Sequence, residues 1–152
     1  MPVGSEKGSS LVEFAMILPV LLFLLLGMAD FGMMLQAQAV VANAAREGAR
    51  SAILVDEGYT AAAVQAQVAG YIAAGIPRGA TPTTAVTACQ LTVSGNHAAM
   101  MKVSVVYPYS YRFVGGIARL LGRSFTTLNV TGSATMRRES PLSTEDPGLP
   151  AC

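Results

Sequence analysis

The stretch "EKGSSLVEFAMILPVLLFLLLGMADF", Glu6–Phe31, decides the architecture. From Phe14 to Ala29 it carries no charge, and between Leu11 and Leu35 the only ionisable residues are Glu13 and Asp30. About 25 such residues suffice, as a helix, to cross a hydrocarbon core of about 30 Å. Pro19 should kink or loosen that helix, and Gly27 and Gly32 permit close approach of a neighbouring one. The composition agrees with a small domain plus an anchor: 152 residues, 52% hydrophobic and only 12% charged. A net charge of +1 offers no basic surface for nucleic acid.

Three readings of the apolar stretch compete. A cleaved signal peptide explains Lys7 ahead of the apolar core and the small residues at Gly27 and Ala29. A plain single-pass anchor explains the length but not Glu13. Its orientation is ambiguous, with Lys7 on one side and Arg46 and Arg50 on the other. The third reading starts from Glu13, because an unpaired carboxylate at the mouth of a membrane segment is costly. Cleavage after Gly8 would create a new α-amine at Ser9, and that cation would pair with Glu13 of an adjoining subunit. Glu13 would then be the fifth mature residue, followed by the aromatic Phe14.

This arrangement resembles bacterial prepilins that are cleaved after a glycine and carry a glutamate five residues on. The glutamate followed by an aromatic is similar to the pilins and pseudopilins of the Tad (tight adherence) system. Downstream, "AQAVVANAAREGARSAI", Ala37–Ile53, resembles the Ala-Arg-Glu-Gly-Ala-Arg type of helix of the TadE-like family. The resemblance covers the first third of the chain strongly and the last third, a small strand-rich end, weakly. It implies a non-enzymatic minor pilin or pseudopilin active in assembly, initiation or tip formation of a Tad-type adherence pilus, and no cofactor. Gly8, Ser9, Glu13 and Phe14 would direct processing. Glu13, Pro19, Asp30 and Gly48 would serve subunit packing, Asp30 either facing a polar neighbour in a bundle or lying at the outer interface. The implied partners are other pilin or pseudopilin subunits, a prepilin peptidase and the assembly platform in the cytoplasmic membrane, with no nucleic acid and no small-molecule substrate. The chain would sit in that membrane as a single-pass protein with its C-terminal domain outside the cytoplasm, or in a surface pilus after processing. Major Tad pilins are little more than a helix, so the extra domain points to a minor subunit.

The rest of the chain reads as a small α+β domain. "QAQAVVANAAREGARSAI" is Ala-rich and lacks proline, so the first helix should run on from Leu11 to Val55, about 65 Å at 1.5 Å per residue. Val41, Ala44, Ala45, Gly48 and Ala52 fall on one side; Asn43, Arg46, Glu47 and Arg50 fall on the other. Val55–Tyr59 should end it at Gly58. A second helix starts from Thr60 as cap, with Ala61, Val64, Val68 and Ile72 as its apolar stripe, and stops at Gly75–Pro77. Arg78–Thr84 reads as a loop.

The period then changes to two. Cys89, Leu91 and Val93 alternate with Gln90 and Thr92; Ser94–His97 reads as a turn; Met101, Val103, Val105 and Tyr107 alternate with Lys102 and Ser104. Arg112–Gly122 suggests a short helix with Phe113, Ile117, Leu120 and Leu121 inward. The last strand sets Leu128, Val130, Ala134 and Met136 against Thr127, Asn129, Thr131, Ser133 and Thr135, with Gly132 between. These elements predict a three-stranded antiparallel sheet on two helices. By position, residues 1–8 are a leader, 9–55 the long helix with its span near 11–35, 56–139 the extracytoplasmic domain and 140–152 a Pro-rich flexible tail.

No catalytic constellation emerges. His97, the sole histidine, falls in the predicted turn. The glycines of Val114–Ser124 lack the Gly-Lys-Ser/Thr ending of a phosphate loop, and there is no Gly-x-Ser-x-Gly elbow. Met16, Met28, Met33 and Met34 are apolar packing residues. Asn129-Val130-Thr131 matches a glycosylation pattern but lies in a strand, and Arg137-Arg138 reads as a solvated strand end. The aromatic run Tyr107–Phe113 is either core plus a Pro108 turn or an adhesive patch. The two cysteines, Cys89 and Cys152, are not CxxC and match no zinc or redox motif. Bridged, they would close a loop of about 60 residues and contribute about 3–4 kcal/mol. Unbridged, Cys89 is a buried hydrophobe and Cys152 a free or intermolecular thiol. Two rivals to the pilin reading remain: a secreted or anchored protein of unrelated function, such as an exported enzyme, and a TadG-like anchored protein, which usually carries a larger domain.

Overall fold

A computed structural model describes residues 6–54, 60–76, 79–120, 122–123, 127–138 and 148–152. The order of elements is α1 (Glu6–Ala52), α2 (Ala61–Gly75), β1 (Thr83–Val93), β2 (Asn96–Tyr109), α3 (Phe113–Leu120) and β3 (Leu128–Arg137). The fold is α+β, with a long apolar N-terminal helix, a second helix and a three-stranded antiparallel sheet in the order β1-β2-β3. Two compact units divide it. One contains residues up to Leu35 together with Ser110–Thr126, and the other contains Gln36–Tyr109 and Thr127–Cys152.

In the second unit, the Ala-rich end of α1 and the stripe of α2 form the core with one face of the sheet. Ala37, Val41, Ala44, Ala45, Ala49 and Ala52 of α1 are buried, as are Val64, Val68 and Ile72 of α2. Asn43, Arg46 and Arg50 are exposed, as the helical period predicts. The side chains on that α1 face are small, so backbones come close. A Cβ on Gly48 would stand 2.5 Å from Cγ2 of Val68 and 3.2 Å from Cγ1 of Val103. A Cβ on Gly132 would stand 2.9 Å from the backbone oxygen of Val41. Gly48 and Gly132 are therefore where helix meets helix and helix meets sheet. Thr60 caps α2 through a 3.2 Å bond from the Ala63 amide to its Oγ1. Gln65 of α2 donates to the Thr84 carbonyl of β1 at 3.1 Å.

The hairpin is tighter and longer than its sequence suggests. Ser94 and Gly95 alone form the turn, both at positive φ (51° and 80°), which suits the right-handed twist of the flanking strands. Asn96 and His97 already belong to β2, and His97 Nδ1 lies 3.0 Å from Thr92 Oγ1 on the paired strand. Thr83 and Thr84, expected in a loop, pair with Val106 and Val105, since β-branched residues fit a pleated surface well. The expected turn at Pro108 is also strand. Pro108 faces Asn129, beyond the last β1 pair at Val106, where β2 has a single neighbour and its missing N–H costs no ladder bond.

Met101, Val103, Val105, Tyr107 and Tyr109 point to the core. Cys89, opposite Met100, lies on the other face. Leu91 and Val93 share that face and are exposed. Cys89 is buried because it forms a disulfide with Cys152. The adjoining tail joins the sheet: the Gln90 amide donates to the Pro150 carbonyl at 2.8 Å, and the Cys152 amide donates to the Gln90 carbonyl at 3.2 Å. Lys102 Nζ adds a 2.9 Å bond to the Cys152 oxygen. The end of the tail, expected to be mobile unless tethered, is a short parallel bridge on the β1 edge.

Several expectations lie outside the described residues: the helix end at Val55–Tyr59, the stop at Pro77, the inward Leu121, most of the leader and the tail from Glu139 to Pro147. Within them, α1 ends at Ala52, followed by a turn in which the Leu54 amide bonds the Ser51 carbonyl at 3.1 Å.

Gly132→Val should destabilise the sheet-bearing unit, because the backbone of Val41 offers no side chain that can move aside. The expected loss is about 1–3 kcal/mol, read as a lower denaturant midpoint in detergent. An unchanged midpoint would argue against the close approach.

Candidate functional site: the two carboxylates of the apolar helix

Among the described residues, nothing covers most of the first half of α1. Leu11, Val12, Phe14, Met16, Ile17, Val20 and every large residue from Leu21 to Leu25 are exposed. The helix is long and apolar enough to cross a membrane, and its most apolar window is entirely unburied. It therefore fits a membrane anchor. Gly8, Ser9, Glu13, Phe14 and Pro19 all lie on this exposed surface, and the helix runs through Pro19 without interruption. Glu13 has no hydrogen bond or ion pair among the described residues. A Cβ on Gly8, Gly27 or Gly32 would meet nothing within 4 Å.

Asp30 has the opposite environment. It is 1% exposed, within the same unit as α3. Its Oδ1 accepts from the amides of Arg112 (3.0 Å) and Phe113 (3.2 Å), and its Oδ2 from those of Phe113 (3.0 Å) and Val114 (2.7 Å). These are amides of the first turn of α3, which a helix leaves without internal acceptors. Asp30 supplies the cap from another helix, at the end where the helix dipole favours negative charge. Nearby, Tyr111 Oη lies 3.9 Å from Met34 Sδ.

The trace of this site in the sequence is a local omission. The residue before α3 is Arg112, not the Ser, Thr, Asp or Asn that normally caps a start. The far end of α3 is conventional. Gly122, at φ 69°, donates to Arg119 at 3.1 Å, and the Arg123 amide reaches back to the Ala118 carbonyl at 2.8 Å.

The orientation of α3 corrects one expectation. Phe113 and Leu120 face outward, at 43% and 88% exposure, while Ala118 is buried and Ile117 half-buried. The first-turn amides are held by Asp30, and the small residue Ala118 takes the buried side. The aromatic run also divides: Tyr107 and Tyr109 are core, Tyr111 is half-buried and Phe113 is exposed. Of the residues expected at subunit contacts, Asp30 and Gly48 lie buried within this chain, whereas Glu13 and Pro19 are exposed. Among the described residues, no group of three or more His, Cys, Asp and Glu side chains is placed to hold a metal.

Residues 8–50 match the family model described as TadE-like protein. The matched segment carries Glu13, Asp30 and the Ala-Arg-Glu-Gly-Ala-Arg run, and over it the resemblance to the TadE-like family is shown. No curated protein and no solved structure matches.

Asp30→Ala should leave the amides of Arg112–Val114 without their acceptor, at a local cost of about 1–3 kcal/mol. Asp30→Asn should retain part of the bonding and fall between. Hydrogen exchange at those amides, in the full chain in detergent, should quicken in the order wild type, Asn, Ala. Equal protection in all three would remove Asp30 from this role.

Proposed function

We propose that this chain is a minor pilin or pseudopilin of a Tad-type pilus, with a structural role in assembly, initiation or the tip. It is inserted in the cytoplasmic membrane through α1, with the disulfide-bearing unit outside the cytoplasm, where such bridges persist. A prepilin peptidase removes Met1–Gly8 and leaves Ser9 as the mature N-terminus. The observation that carries this reading is the unbroken run of α1 from the bare apolar segment into the domain core, with Glu13 exposed in the bare part. A cleavable export signal ending at Ala29 would cut that helix one residue before Asp30, on which the first turn of α3 depends. Retention of the helix also leaves Glu13 requiring a partner from outside, and the α-amine of a neighbouring Ser9 has the right sign and size.

Gly8→Leu should block processing and leave Met1–Gly8 attached, visible by intact mass. A wild-type mature start at Asp30 would instead support the signal-peptide alternative and an unrelated exported function. Glu13→Ala should still insert and be cleaved, yet co-assemble poorly with other pilin subunits. Breaking a buried charge pair costs about 3–5 kcal/mol, so recovery in sheared pili or cross-linked complexes should drop more than about tenfold. Wild-type recovery would refute the pairing.

A further inference from the structure

Helix α3 has an outer face that the pilin reading does not use. Phe113, Gly116 and Leu120 are exposed and spaced three and four apart, so they form one stripe. Arg119 adjoins the stripe and Arg123 follows the Gly122 cap, both exposed. The buried side of α3, with Ala118, is already occupied. A short helix with an apolar outer stripe and adjacent cations is the pattern of a segment that lies in a bilayer interface.

Position identifies the occupant of that stripe. The bonds from Arg112, Phe113 and Val114 to Asp30 hold the first turn of α3 beside residue 30 of α1. From Leu11 to Ala29, the residue before, the helix carries a single charge, Glu13. At 1.5 Å per residue that run is about 28 Å long, close to the thickness of a hydrocarbon core. Asp30 and the start of α3 therefore stand where acyl chains give way to headgroups. Met28 and Phe31, on either side of Asp30 in the sequence, are also exposed.

We propose that α3 is a second membrane contact, lying in the headgroup layer of the leaflet at the Asp30 end of the span. Phe113 and Leu120 enter the acyl boundary, and Arg119 and Arg123 meet anionic lipid phosphates. Asp30 then has two effects: it caps α3, and it sets the depth at which α3 rests. The proposal depends on α1 spanning the bilayer. Because α3 follows β2 directly, the contact also ties the chain to the lipid surface at a point remote in sequence from the anchor.

The chain contains no tryptophan, so a single introduced one reports its own surroundings. Full-length Leu120→Trp, Leu22→Trp and Val93→Trp variants would be reconstituted at high dilution in phosphatidylcholine vesicles containing about one-third phosphatidylglycerol, an anionic surface that attracts nearby arginines. Lipids brominated at shallow or deep acyl positions serve as quenchers. All three sites are exposed, so the substitutions leave the core intact. Leu22→Trp should lose most of its emission to deep bromines, Val93→Trp should keep its emission, and Leu120→Trp should be blue-shifted and lose most of its emission to shallow bromines. With Leu22→Trp quenched, a Leu120→Trp emission that matches Val93→Trp overturns the α3 proposal alone. So does a blue shift that bromine leaves unquenched, which would indicate a protein partner. An unquenched Leu22→Trp overturns the membrane span and this proposal with it. Adding Arg119→Gln and Arg123→Gln should reduce Leu120→Trp quenching to the level seen in pure phosphatidylcholine; no reduction would overturn the headgroup contact.

Discussion

Helix α1 has to satisfy two environments along one continuous hydrogen-bonded backbone, and most of the molecule follows from how its sequence changes between them. Its first half presents large apolar side chains on every side, and none of its most apolar window is covered. Each such side chain left in water forgoes about 1.5–3 kcal/mol, a total well beyond the stability of an ordinary domain. Its second half confines apolar character to one face and makes that face of alanine, glycine and valine. Small side chains contribute little area each but let other backbones approach, and Gly48 and Gly132 mark where the approach is tightest. The first half thus depends on lipid or protein supplied from outside, and the second half builds its own core.

The two carboxylates of the apolar run differ for a related reason. Glu13 is exposed and has no counter-charge among the described residues. Asp30 lies beside a returning segment of the same chain, and backbone amides take the place of a counter-ion. A carboxylate bonded by several N–H groups in a dipole-favourable geometry is well compensated, which explains its burial at the edge of an otherwise apolar segment.

The periodic elements were legible in the sequence, and the elements set by remote partners were not. Thr60 as a cap and Val64, Val68 and Ile72 as a stripe follow from local spacing, and the inward residues Met101, Val103, Val105 and Tyr107 follow from alternation. The alternation of Cys89, Leu91 and Val93 fits either face, and only the placement of the tail decides which one is covered at Cys89. Phe113 and Leu120 depart from the rule that an amphipathic helix buries its largest side chains, since α3 buries Ala118. Asp30 was legible as an anomaly but not as a cap, because its donors lie more than 80 residues away and no local pattern encodes such a pairing.

The fastening of residues 150–152 to the edge of β1 has a mechanical consequence. A strand hydrogen-bonded at an edge is weak when peeled, since its bonds fail one after another. Here the peeling direction is crossed by a covalent link from Cys152 to Cys89, one residue from the Gln90 bridge. Tension applied to that end of the chain passes through the sulfur bridge into β1 and across its ladder with β2, bypassing the intervening segment. A chain pulled there would therefore keep its sheet under forces that unzip an unlinked edge, and its extension before rupture would be shortened by the length of chain the bridge encloses.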